Sequence, residues 1–184
     1  MDKALDEIIK GCKQNKLKYQ KALYDRYKDK MFAICVRYAK SIEEAEDVFQ
    51  EAFVKVFKNI HQYDYKGSFD GWIRRIFVNT AITNYKLNKK RYYKEEIDVT
   101  DYERDSFEIT DSEFTMDELM KAINELPLGY RTVFNLYAVE GYKHKEIAEM
   151  LDIDINTSKS QYSRAKKMLR EKLLKMAKLK IKND

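Results

Sequence analysis

The chain has 184 residues, 44% hydrophobic and 36% charged, which fits one globular unit or two small ones. No apolar run approaches the roughly 18 residues of a membrane span, and two distant cysteines make no disulfide framework. The net charge of +5 is too mild to name a partner, but it is unevenly spread. Residues 1–94 hold 21 Lys/Arg against 12 Asp/Glu, residues 95–118 hold one against eleven, and residues 119–184 hold 14 against 8.

Helix patterning starts at once. Leu5, Ile8, Ile9 and Cys12 recur at i, i+3, i+4, i+7, and Leu23, Tyr27, Met31, Ile34, Cys35 and Tyr38 continue the pattern in a second helix. Ser41 followed by Glu44 is a capping box opening a third, where Ala45, Val48, Phe49, Ala52, Phe53, Val56, Phe57 and Ile60 form the cleanest stripe. HQYDYKGS (61–68) reads as a loop, and Phe69, Trp72, Ile73, Ile76, Phe77, Thr80 and Ala81 mark a fourth helix. Residues 1–94 therefore read as one helical domain. Residues 95–118 have no sustained period and read as an acidic linker, leaving 119–184 as a second domain.

The second block opens with another capping box, Thr115 and Glu118, ahead of Leu119, Met120, Ile123 and Leu126. Pro127 suits the first turn of the next helix, whose stripe is Val133, Phe134, Tyr137 and Ala138, with Gly141 as its stop. A short helix from His144 to Leu151, a tight turn at Asp152–Asp154 and a long basic helix from about Asn156 have the layout of a helix-turn-helix. Asp154 is expected to cap that last helix. The fold class is all-α: two small helical domains joined by an acidic linker, the second containing the helix-turn-helix.

Two constellations bear on function. Residues 71–94 carry Arg74, Arg75, Lys86, Lys89, Lys90, Arg91 and Lys94 without an acid, interleaved with Trp72, Tyr85, Tyr92 and Tyr93. Cations along a helix suit a phosphate backbone and aromatic rings suit unstacked bases, although a solvated basic face with Trp72 in the core explains the run equally well. On the last helix Ser158, Tyr162, Ala165 and Leu169 fall on one side, while Asn156, Ser160, Ser163, Arg164 and Lys167 fall opposite, flanked by Lys159 and Gln161. Donors grouped this way suit the major groove. Cys12, Cys35, His61 and His144 lack the spacing of metal ligands, and two histidines support no nucleophilic triad. No catalytic residue, metal or cofactor is assigned. The N-terminal MDKALDEIIKGCKQNK has no apolar leader core, so a cytoplasmic location with reduced thiols is expected.

At this point the chain resembles the sigma-70 family of bacterial RNA polymerase sigma factors, in its extracytoplasmic-function (ECF) group. Four stretches carry the resemblance: 23–60 with its D-x-x-Q-E-x-F string, 67–91 with W-I-x-R-I-x-x-N, 125–153 with L-P-x-x-x-R-x-V-F-x-L, and 156–173 with T-x-K-S-x-x-x-R-A. The resemblance implies a factor that binds core polymerase, directs it to minus-10 and minus-35 promoter elements and promotes melting. Asp47, Gln50 and Glu51 would anchor the clamp helices of the polymerase β′ subunit, with Phe49 and Phe53 packing inside, and the β subunit would be a further contact. Tyr63, Trp72, Arg74, Arg75, Asn79 and Lys86 would serve the minus-10 element, Tyr63 stacking on an extruded base and Asn79 bonding its edge. Lys159, Ser160, Ser163, Arg164 and Lys167 would read the minus-35 duplex, with Thr157 and Gln161 on phosphates. An anti-sigma protein would be a further partner. The acidic linker matches by position the segment threading the polymerase's RNA path, although a solvated spacer explains it as well. Asp152 stands where the family often has Gly, Ser158 where it has an apolar residue and Gln161 where it has Arg. A stand-alone helix-turn-helix regulator that never touches polymerase is the alternative, and a sequence-indifferent nucleic-acid packaging protein a third reading.

Overall fold

The computed structural model describes residues 2–93 and 114–181, with side chains through 88 and from 114 through 177. Most of the expected linker (95–113), Lys94 and the side chains of Lys89, Lys90, Arg91, Tyr92 and Tyr93 lie outside the described residues. Among the described residues the protein is all helical: α1 (Lys3–Lys13), α2 (Leu17–Tyr38), α3 (Ile42–Asn59), a 3₁₀ turn (Ile60–Gln62), α4 (Phe69–Tyr93), α5 (Met116–Asn124), α6 (Leu128–Phe134), a π turn (Asn135–Val139), α7 (His144–Leu151) and α8 (Ile155–Ile181). Contacts divide the chain into two compact units, Met1–Leu87 and Asn88–Asp184, so the division falls inside α4 instead of after it.

In the first unit each helix starts where its cap chemistry dictates. The Asp2 carboxylate accepts the Ala4 N–H at 3.0 Å, and Asn15 closes α1 in the left-handed region (φ 55°), which Asn tolerates better than most residues. Ser41 Oγ accepts the Glu44 N–H at 3.3 Å, while the Glu44 carboxylate accepts the Lys40 N–H at 2.7 Å, one residue earlier than in a reciprocal capping box. The buried stripes of α2, α3 and α4 then meet in a cluster of rings. Phe49 touches Tyr24, Phe32, Phe53 and Phe77 with centroids 4.9–5.9 Å apart, and Phe53 touches Phe77 at 5.1 Å. Such pairs contribute about 0.5–1.5 kcal/mol each beyond area burial. Cys12 and Cys35 are buried and free, and burial pushes their thiols up to about 11 and about 12. They are packing residues, not nucleophiles.

The second unit is built on α8. Ala165, Leu169 and Leu173 pack with Ala122, Ile123 and Leu126, and Phe114, Leu119, Met120, Tyr130, Phe134, Met168 and Met176 surround them. Both halves of the Thr115–Glu118 capping box are formed. Pro127 is the N-cap of α6, one position before the first-turn slot expected for it. The Arg131 side chain is buried, and its Nη1 donates to the Asn124 carbonyl at the end of α5, where the helix dipole favours a cation. Gly141 (φ +80°) ends the π turn in a conformation open to glycine at no steric cost.

Gly11 marks the tightest crossing, because a β-carbon there would fall inside the Tyr19 ring. In a helix Gly→Ala ordinarily gains up to about 1 kcal/mol. Overpacking costs about 1–3 kcal/mol, and the obstacle is a ring joined closely to α2. Gly11→Ala is therefore expected to lower the stability of the first unit by roughly 1–2 kcal/mol, measured by urea unfolding followed by circular dichroism. A gain in stability would show that Tyr19 moves aside freely.

Candidate nucleic-acid interface

Two exposed stripes on the first unit follow from the buried ring cluster. On α3 the outward face carries Glu43, Glu46, Asp47, Gln50, Glu51, Val54 and Lys58. Asp47 and Gln50 are exposed, and Glu51 is paired with Lys55 one turn on at 2.7 Å. Val54 sits four residues after Gln50 on the same face and is 51% exposed, an apolar residue with no burial to explain it. Sequence reasoning passed over it because Val54 neighbours Phe53 and Val56, which do face the core.

On α4 the outward stripe is Gly71, Arg75, Asn79, Thr83 and Lys86, spaced at three and four. The expected minus-10 residues Arg75, Asn79 and Lys86 share this stripe, spanning about 16 Å at 1.5 Å per residue. Arg74 lies off it and is half-buried. Asp70, in the first turn, accepts from Lys30 Nζ (2.8 Å) and the Tyr27 hydroxyl (3.1 Å), so the Lys30 bond foremost holds its carboxyl below the usual range. This joins the start of α4 to α2.

The loop before α4 corrects one expectation. Tyr63, the anticipated stacking ring, is 3% exposed. Its hydroxyl donates to the Gly67 carbonyl at 2.6 Å, and its ring packs on Phe69 and Trp72 at 5.1 and 5.7 Å. It shapes the loop from inside and offers no free face. The ring at the surface is Tyr65, 39% exposed. Tyr65 is held with φ 65°, a conformation that costs a non-glycine residue of order 1–3 kcal/mol and persists only where neighbours determine it. Those neighbours come from α1. Lys13 Nζ lies 4.6 Å from the Tyr65 ring centroid and donates to the Tyr63 carbonyl at 2.7 Å. Burial, then the nearby Asp6 carboxylate, pushes the Tyr65 phenol up. A strained exposed aromatic strapped to a lysine 52 residues earlier leaves no local pattern in the sequence.

In the second unit α7 and α8 are joined by a tight turn. Asp152 closes α7 in the left-handed region (φ 54°, ψ 58°), the Ile153 N–H reaches the Ala148 carbonyl at 3.1 Å, and the Ser158 N–H reaches the Asp154 carbonyl at 3.0 Å. Lys159, Ser160, Ser163 and Arg164 are exposed, Thr157 and Lys167 half-buried. Asn156, Ser160, Ser163, Arg164 and Lys167 share one stripe, with Lys159 at its edge. Gln161 does not belong with them. At three residues past Ser158 and four before Ala165 it falls on the inward stripe and is 8% exposed, so the expected phosphate contact is corrected to an interior position.

The arrangement defines a class: a helical protein with a polar and basic exposed face on α8 of one unit and, on the other, a basic stripe beside a strained aromatic loop. Residues 23–91 match the family model for Sigma-70 region 2, and residues 116–169 match that for Sigma-70, region 4. The ECF RNA polymerase sigma factor SigW of Bacillus subtilis is 30% identical over 184 residues, covering 94% of this chain and 98% of that protein. The ECF RNA polymerase sigma-E factor of Haemophilus influenzae is 30% identical over 178 residues, covering 90% and 93%. Among solved structures, the sigma factor RpoE of Bartonella quintana in complex with the anti-sigma factor NepR aligns with a TM-score of 0.49 at 19% identity, over 83% of this chain and 95% of that one. The chain belongs to the sigma-70 family of RNA polymerase sigma factors, in the ECF group. It binds core RNA polymerase and directs it to promoter DNA for initiation, and it is not itself an enzyme. No helix among the described residues is long and apolar enough to cross a membrane.

The turn between α7 and α8 gives a direct check. Asp152 adopts its left-handed conformation at a cost that glycine avoids and a β-branched residue meets in full. Asp152→Gly should leave the melting midpoint of the second unit unchanged or higher. Asp152→Val should lower its stability by about 1–2 kcal/mol, read by thermal circular dichroism.

Proposed function

We propose that the two units divide the work of initiation as follows. The α3 face with Asp47, Gln50, Glu51 and Val54 docks on the clamp helices of the polymerase β′ subunit. The α4 stripe with Arg75, Asn79 and Lys86 tracks the minus-10 strand, Asn79 bonding the edge of an extruded base whose face lies against Tyr65. Trp72 and Arg74 border that site. In the second unit Lys159, Ser160, Ser163 and Arg164 read the minus-35 duplex in the major groove, and Thr157 and Lys167 meet phosphates. The observation that carries the reading is the one-sided exposure of polar side chains along α8, opposite a buried stripe on which Ala165, Leu169 and Leu173 pack into the core. The protein acts in the cytoplasm, and an anti-sigma protein that occludes both units is part of the same reading.

The energies explain why polymerase is required. Extruding a base costs a few kcal/mol, and one stacking platform returns about 1–3 kcal/mol. Melting on the isolated factor is close to balance, and contacts supplied by polymerase tip it. A pull-down of core RNA polymerase followed by run-off transcription tests the whole: discrete start sites are expected. Sequence-specific duplex binding without core binding would favour a stand-alone regulator.

Three substitutions divide the roles. Replacing Asp47 and Gln50 together by Ala should weaken core binding with the helical signal intact. Asn79→Ala should impair open-complex formation more than duplex binding, and equal loss in both removes the base-edge role. Tyr65→Ala should reduce open-complex formation about 5- to 160-fold, the equivalent of a lost 1–3 kcal/mol stack, while Tyr65→Phe retains it. Permanganate reactivity of unpaired thymines at the start site reads all these effects on melting.

A further inference from the structure

The joint between α7 and α8 contains a polar pair where an apolar contact would ordinarily sit. Ser158 is 0% exposed, yet carries a hydroxyl on the inward stripe of α8. The hydroxyl is met by His144, the first residue of α7, whose Nδ1 lies 2.9 Å from Ser158 Oγ. The imidazole lies against a pair of rings that also touch each other. It stacks on Tyr137 of the π turn, with centroids 4.4 Å apart and planes 17° apart, and meets Tyr162 of α8 edge-on at 5.8 Å. Tyr137 and Tyr162 close the set at 4.5 Å. Three segments of the second unit, the π turn, α7 and the second turn of α8, therefore converge on one side chain. Ser158 is also flanked by Thr157, Lys159 and Ser160, three residues of the proposed reading surface.

We propose that His144 is a positioning residue for promoter reading, holding the N-terminal turns of α8 at the pitch that presents Lys159, Ser160, Ser163 and Arg164 through its bond to Ser158 and its seat against Tyr137 and Tyr162. The inference rests on the reading of α8 as the duplex-binding helix and adds a group that itself touches no DNA.

The chemistry of the seat makes the positioning dependent on pH. A neutral imidazole satisfies Ser158 Oγ in either tautomer, by accepting the hydroxyl proton or donating its own. A cation is disfavoured there for several reasons. Burial foremost, then the Lys159 ammonium, holds the imidazole below its ordinary range. Its place at the start of α7 adds the positive end of a helix dipole. The titratable groups facing it are Lys159 and Tyr162 from α8 and Tyr137 from the π turn, with Lys143 and Lys145 flanking it on its own element. The Glu146 carboxylate is engaged by the Lys143 backbone N–H at 2.7 Å. A displaced imidazole takes up its proton near pH 6.5, the seated one only at lower pH. The seated state is therefore fully favoured above about pH 6.5 and is lost as pH falls through that window.

The test uses holoenzyme, core RNA polymerase carrying the full chain, and a short duplex selected by the wild-type holoenzyme from a random-sequence pool. Binding is followed by fluorescence anisotropy from about pH 8 to 5.5 at fixed salt. The variants are His144→Phe, which keeps a ring but leaves Ser158 Oγ buried without its partner, and His144→Phe with Ser158→Val, which makes the joint apolar. At pH 7.5 His144→Phe should bind about fivefold or more weakly, since a buried hydroxyl stripped of its partner is costly. The double variant should recover to within about twofold, because replacing both partners by apolar groups is nearly neutral. Between pH 7.5 and 5.5 wild-type affinity should fall about threefold or more relative to the double variant, which cancels every other titrating group. Equal pH profiles for the two, wild-type affinity that rises relative to the double variant on acidification, or full affinity for His144→Phe at pH 7.5 would each overturn the positioning role. A separate outcome tests the reading beneath it: an Arg164→Ala holoenzyme that binds this duplex as tightly as wild type would show that α8 does not read it.

Discussion

The packing of Phe77 against Phe49 and Phe53 fixes how far α3 and α4 are each rotated about their own axes. A helix presents a new side chain every 100° or so, and turning it by one residue swings its outer stripe about a quarter of the way round the axis. Rings of this size fill the space between the helices only in one rotation, so the outer stripes are decided by the inner ones. That is why Asp47 and Gln50 emerge together on α3, and why Arg75, Asn79 and Lys86 emerge together on α4. Neither stripe contributes to the core that places it. The division leaves the outer residues free to be chosen for a partner while stability is supplied by the rings.

The two outer faces carry opposite chemistry, and the separation has physical consequences. The α3 face is acidic, with Glu43, Glu46, Asp47 and Glu51, and would be repelled by a phosphate backbone. The α4 stripe has Arg75 and Lys86 with no acid among its exposed members. The field of this unit favours an anion at α4 over α3, in keeping with the roles proposed for the two helices. In the second unit the same logic operates on a single helix. The inward stripe of α8 from Ser158 to Leu173 is spent on packing, and the outward one keeps its donors in solvent.

Much of this was legible from spacing alone, because period 3.6 is written locally. The helix order, the Thr115–Glu118 cap, the Gly141 stop and the left-handed Asp152 all depend on residues within a few positions of one another. The errors share a different origin. The resemblance implies a stacking role for Tyr63, but Phe69 and Trp72, on the following helix, draw its ring inward, and Lys13, fifty residues earlier, ties its carbonyl. Gln161 reads as a surface residue by type, yet the stripe it falls on is set by Ser158 and Ala165.

Ser158 shows how a departure from an expected pattern can be half of a pair. Considered singly, a serine on a core stripe is a defect, because a buried hydroxyl without a partner costs about 1–3 kcal/mol. The partner is His144, fourteen residues away, and its ring in turn packs on Tyr137 and Tyr162. Each member of the set is unfavourable or neutral alone and acceptable only with the others, so a single substitution is opposed whichever member it removes. An apolar joint would hold α8 with a force nearly independent of conditions, since burial of hydrocarbon does not titrate. A joint made through an imidazole whose environment disfavours the charged ring is weakened as that ring takes up a proton. Under the proposed role of α8, its contact with α7 would depend on the solution as well as on the fold.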